Sequence, residues 1–111
     1  MSDRARQEFT AAAGVLIETR IRELRKLTFE QVKSLPEVAG FDQTIGGVKA
    51  SITTFRQDSP YELRGMTLVT VLVARPRWFG MAAHHIERGL VFSPDGTVRE
   101  ATTRELENSG G

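Results

Sequence analysis

Apolar residues at Phe9, Ala13, Leu16, Ile17, Ile21, Leu24 and Leu27 recur at spacings of three and four, so from Asp3 to about Leu27 they form one stripe down a helix. Both ends agree with the stripe. Ser2 stands where a cap is preferred, Asp3 lies in the first turn, and Arg20, Arg22, Arg25 and Lys26 crowd the last turns, where the helix macrodipole favours cations. Thr28 followed by Gln31 has the form of a capping box and Pro36 closes the segment, which predicts a second, short helix from Phe29 to Leu35.

After Gly46-Gly47 the period changes to two. Val48, Ala50 and Ile52 alternate with Lys49, Ser51 and Thr53, as in a half-buried strand running from Val48 to Phe55. Asp58-Ser59-Pro60 breaks the chain before a second strand rich in Val, Leu and Thr, from about Met66 to Arg75. Pro76 and Gly80 permit a reversal into a third strand, from about Ala82 to Phe92. Ser93-Pro94-Asp95-Gly96 then turns into a charged fourth strand, from Thr97 to about Thr102.

Connections this short join only antiparallel neighbours. The predicted fold class is therefore α+β: a long N-terminal helix, plus a short second helix, packed on a four-stranded antiparallel meander sheet. Residues 1–102 read as a single domain. The remainder, 103–111, has little to bury beyond Leu106 and reads as a flexible C-terminal tail.

Composition narrows the function classes. With 111 residues, 40% of them apolar, the chain can bury one real core. Fifteen basic side chains against fourteen acidic ones leave a formal charge of +1, too little to gather polyanions over the whole surface, which argues against nucleic acid as a partner. The absence of cysteine excludes disulfides, thiolate nucleophiles and cysteine-ligated metal. Together with a charged N-terminus lacking an export signal, it points to a cytoplasmic protein. No apolar run approaches the ~20 residues of a membrane helix, so no membrane role is expected.

His84 and His85 are the only histidines. As strand neighbours they point to opposite faces, unless a bulge at Gly89 re-aims one of them. His85 and Glu87 share a face and are the candidate metal-ligand or acid-base pair of an enzyme; two ligands fall short of a site, so neither a metal nor a cofactor is expected. Arg75-Pro76-Arg77-Trp78-Phe79-Gly80 interleaves basic and aromatic side chains, which makes Arg75, Arg77, Trp78 and Phe79 candidates for binding a small ligand or a single-stranded nucleic acid. The chain carries no phosphate loop, dinucleotide fingerprint, nucleophile elbow or zinc helix, so the reading leans away from catalysis.

The strand from Met66 to Arg75 is apolar on both faces, with Met66, Leu68, Leu72 and Ala74 on one and Val69, Val71 and Val73 on the other. One helix covers one face. The second face could be covered by the segment carrying Val38, Phe41 and Ile45, or by another subunit. The leading expectation is a non-catalytic protein-interaction or self-association module, a homodimer or partner complex meeting at Val69, Val71 and Val73 or through the Trp78 end.

Overall fold

The computed structural model describes residues 3–45, 47–60, 63–75 and 85–108. Its first element, α1 (Asp3–Arg25), buries the predicted stripe: Phe9, Ala13, Ile17, Ile21 and Leu24 are at most 1% exposed. Leu16 is only half-buried, at the margin of the same cluster. The next element, α2 (Phe29–Lys33), starts on the predicted capping box, in which the Gln31 amide donates to Thr28 Oγ1 at 3.1 Å and the Thr28 amide donates to Gln31 Oε1 at 2.8 Å. Its one buried side chain, Val32, joins the core under α1.

Among the described residues five strands follow, one more than predicted: β1 (Val38–Ile45), β2 (Val48–Asp58), β3 (Thr67–Ala74), β4 (His85–Phe92) and β5 (Val98–Glu100). They form an antiparallel meander in the order β1-β2-β3-β4-β5. The additional strand, β1, comes from the segment expected to fold over the sheet. Instead it extends the sheet as an edge, joined to β2 by a two-residue turn in which Gly47 adopts φ +78°. Only Ile45 of β1 reaches the core; Val38 and Phe41 are each 60% exposed.

Strand register decides which face each residue serves. Val69, Val71 and Val73 of β3 stand beside Leu90, Arg88 and Ile86 of β4 and beside Arg56, Thr54 and Ile52 of β2, and this is the face that α1 covers. All three valines have no exposed surface within a single chain. This corrects their assignment to a subunit interface: they are the floor of the helix-sheet core. Pairing of β3 with β4 runs without interruption from Thr67↔Phe92 to Ala74↔His85, so Gly89 makes no bulge.

Polar ties hold the seams between these layers. Arg88 lies under α1, where its Nε donates to Glu100 Oε1 at 2.6 Å and its Nη1 pairs with Glu18, joining α1, β4 and β5 through one guanidinium. Its hydrogen bonds hold both carboxyls below their ordinary range, and Arg88 itself is held further into its charged form. Arg56 secures the other side: its Nε donates to the Leu35 carbonyl at 2.7 Å and its Nη1 pairs with Asp58, which also accepts from Thr67 Oγ1 at 3.0 Å.

Because Ile17 and Ile21 are sealed against β3 and β4, truncation of either to Ala should cost about 2–5 kcal/mol of unfolding free energy, and Leu16→Ala, at the half-buried margin, about 1–2 kcal/mol. Urea denaturation followed by circular dichroism measures all three. Equal losses at the three sites would mean that the helix is rotated from this seating.

Candidate functional site

The second face of the sheet, opposite α1, carries Leu68, Thr70, Leu72 and Ala74 of β3 and His85, Glu87, Gly89 and Val91 of β4. One end of it is covered from within the chain. The segment expected to be a flexible tail contains a helix, α3 (Thr103–Asn108), whose Leu106 packs with Leu63, Met66, Leu68, Val91 and Ala101 in a second, smaller core. This corrects the tail assignment for residues 103–108. The signal was in the sequence: Thr102-x-x-Glu105 is a capping box, with the Glu105 amide donating to Thr102 Oγ1 at 3.2 Å and the Thr102 amide to Glu105 Oε1 at 2.9 Å.

Two further contacts seat α3. Arg99, which points to this face from β5, forms a paired hydrogen bond with Glu105 at 2.8 and 2.6 Å. A side chain at Gly89 would meet Leu106 Cδ2 at 2.8 Å and the Val69 carbonyl at 3.1 Å, so the close approach of α3 to β4 requires glycine there.

The other end of this face is open. There His85 is exposed opposite Ala74, and Glu87 is half-buried opposite Leu72, the two side chains sharing the face as expected. Among the described residues no group of three or more His, Asp or Glu side chains is placed to hold a metal ion. Next to Leu72 a trough of about 450 Å³ is lined by Glu37, Val38, Phe55, Arg56, Gln57, Thr70 and Leu72, with Val38, Phe55 and Leu72 as its apolar part. A second hollow, of about 430 Å³, lies between Phe29 and the turn at Ser93 to Gly96.

The basic-aromatic segment is divided. Arg75 lies at the end of β3, half-buried, with its guanidinium carbon 5.9 Å from the centre of the Phe9 ring, a cation–π contact that ties it to α1. Arg77, Trp78, Phe79 and Gly80, together with His84, lie outside the described residues.

What the sequence reading missed is the outer side of β1. Every residue from Val38 to Thr44 is exposed, and among the described residues the strand pairs on one side only. The Arg56 amide donates to the Glu37 carbonyl at 2.9 Å, which fixes the parity of the ladder: odd-numbered residues of β1 bond to β2, and the backbone N–H and C=O groups of Val38, Gly40, Asp42 and Thr44 point outward. No charged side chain of β1 other than Asp42 interrupts this edge, and Lys49 stands 3.9 Å from that carboxylate.

No protein-family model, curated protein or solved structure matches this chain. Among the described residues no helix is long and apolar enough to cross a membrane.

Cover of the second face should be acid-labile. Hydrogen bonding to Arg99 lowers the Glu105 carboxyl to about 2, below the ordinary value of 4.5. A depressed carboxyl contributes stability that is complete above its unfolded value and is lost as pH falls toward its folded one. Amide protection at Leu106, which donates to the Thr102 carbonyl, should therefore fall progressively from about pH 4.5 to about pH 2. In Glu105→Gln the protection should already be reduced at neutral pH and should lose most of this acid dependence. Hydrogen exchange measured by NMR reads both effects, and pH-independent protection in the wild type would refute the role of the pair.

Proposed function

We propose that this chain is a non-catalytic protein-interaction module that docks an extended strand along β1. The observation that carries the reading is the row of outward N–H and C=O groups at Val38, Gly40, Asp42 and Thr44 on an eight-residue, unbulged edge. Unpaired ladder groups are a template for another strand, and proteins that do not use such an edge shorten it, bulge it or guard it with lysine or proline. None of these devices occurs within β1.

The open trough on the second face adds a place for side chains. A docked strand presents alternate residues to each face of the sheet, and those on the second face would lie beside Val38 and the apolar floor formed with Phe55 and Leu72. Main-chain bonds supply affinity in this mode and neighbouring hollows supply preference. Each added hydrogen bond contributes about 0.5–1.5 kcal/mol net, so a short generic strand should bind with a dissociation constant on the order of 0.1–1 mM.

Amide exchange tests the reading, with a short peptide of alternating Thr and Val bearing lysine ends as the probe. The outward amides of Val38, Gly40, Asp42 and Thr44 should be engaged, either protected in the protein alone or slowed about 10-fold by the peptide. Asp42→Pro, which removes an outward donor without breaking a bond to β2, should weaken the peptide effect. Unprotected exchange at all four amides, unmoved by the peptide up to about 5 mM, would overturn the proposal.

A further inference from the structure

We infer that the strand docked on β1 is β1 of a second copy of this chain, paired antiparallel about a two-fold axis at Phe41. The inference rests on the strand-addition reading of this edge and names its occupant.

The apolar surface points there first. Among the described residues three large hydrophobic side chains are strongly exposed, and two of them, Val38 and Phe41, lie on this one strand. The two ends of the sheet also differ. At the far edge β5 is three residues long, carries Arg99 and Glu100 in ion pairs, and runs directly into α3. Among the described residues only β1 offers an eight-residue free ladder, so a pair formed through it closes on itself and leaves no second described edge of that length to grow from.

The register follows from the sequence of the strand. For two copies related by a two-fold axis, outward residues face outward residues when the axis falls at Gly40, Phe41 or Asp42. An axis at Gly40 sets Thr44 against Pro36, which has no N–H to give. An axis at Asp42 sets two carboxylates directly opposite each other, which is destabilising. The axis at Phe41 avoids both. Asp42 then faces Gly40 of the other copy, where no side chain crowds it, and stays beside its own Lys49. Val38 faces Thr44, Ala39 faces Gln43, and the two Phe41 rings meet at a closely spaced pair, on the same face of the sheet as Ile52 and α1 but in the exposed part of it.

The chain has no cysteine, so single introduced cysteines can read this register. Light scattering at ~100 µM should give twice the 12.3 kDa chain mass. Phe41→Cys should cross-link nearly completely under mild oxidation, because facing residues of a non-hydrogen-bonded pair lie about 4.5 Å apart, within disulfide reach. Ala39→Cys and Gln43→Cys should each stay largely unlinked alone and link when mixed. Phe41→Lys, at a site exposed enough to leave folding intact, should weaken the dimer at least about 10-fold by placing like charges on the axis.

A single-chain mass at ~100 µM would overturn the inference; the strand-addition reading would then stand or fall on whether the Thr-Val peptide engages the four outward amides. A dimer that cross-links through other pairs but not at Phe41 would overturn the register and with it the inference, leaving β1 as an edge. A dimer indifferent to every change on β1 would overturn the inference alone, and the strand-addition reading would again rest on the peptide.

Discussion

The width of one helix against the width of the sheet constrains everything else in this molecule. A helix with its side chains is about 10–12 Å across, whereas strands repeat every ~4.8 Å, so α1 covers little more than two of five strands. It lies where cover is worth most, over Val69, Val71 and Val73 of the central strand and Leu90 and Phe92 beside it. The remaining core is closed piecemeal, by Val32 of α2 on the same face and by Leu106 of α3 on the other. Both arginine ties stand on the α1 face, one pinning the outer strands to the helix through Arg88 and the other pinning the α2–β1 connection through Arg56.

That seating explains what could be read in advance and what could not. The stripe of α1, the Thr28 capping box and the meander of β2 to β5 follow from local periodicity and short connections, and all were legible. The first strand was not. Val38 to Ile45 contains Gly40 and Asp42, both poor strand formers, and because neither of its faces is buried the alternation that betrays a half-buried strand is missing. Val69, Val71 and Val73 were recognised as needing cover, but a strand apolar on both faces gives no indication of which side takes the long helix. The register supplies it: those valines align with Leu90 and Ile52 on the covered face.

The candidate chemistry was legible only as proximity. That His85 and Glu87 share a face follows from strand geometry alone, yet their neighbours on β3 are Ala74 and Leu72, side chains that neither ligate nor relay protons. Arg75 shows the same gap between composition and role, since a cation beside aromatic residues in sequence is turned instead onto Phe9 of α1. In both cases the missing information is which strand faces come together, and that belongs to the tertiary fold.

The asymmetry of the two sheet edges follows from where α3 can sit. A three-residue strand alone would fray, but β5 is gripped on both faces: Glu100 is held by Arg88 beneath α1, while Arg99 holds Glu105 of α3 on the second face, and the Ala101 amide extends the ladder to the Gly89 carbonyl at 2.8 Å. Gly89 also leaves room for Leu106, which a side chain there would meet at 2.8 Å. With both of these capping layers committed to the β4–β5 side, β1 keeps only its bonds to β2 among the described elements, and its outward groups must be satisfied by water or by another strand. The exposed Phe41 and Val38 tilt that choice, because water satisfies backbone groups but gains nothing from a phenyl ring held in the open, whereas a second strand bonds the backbone and covers the ring together.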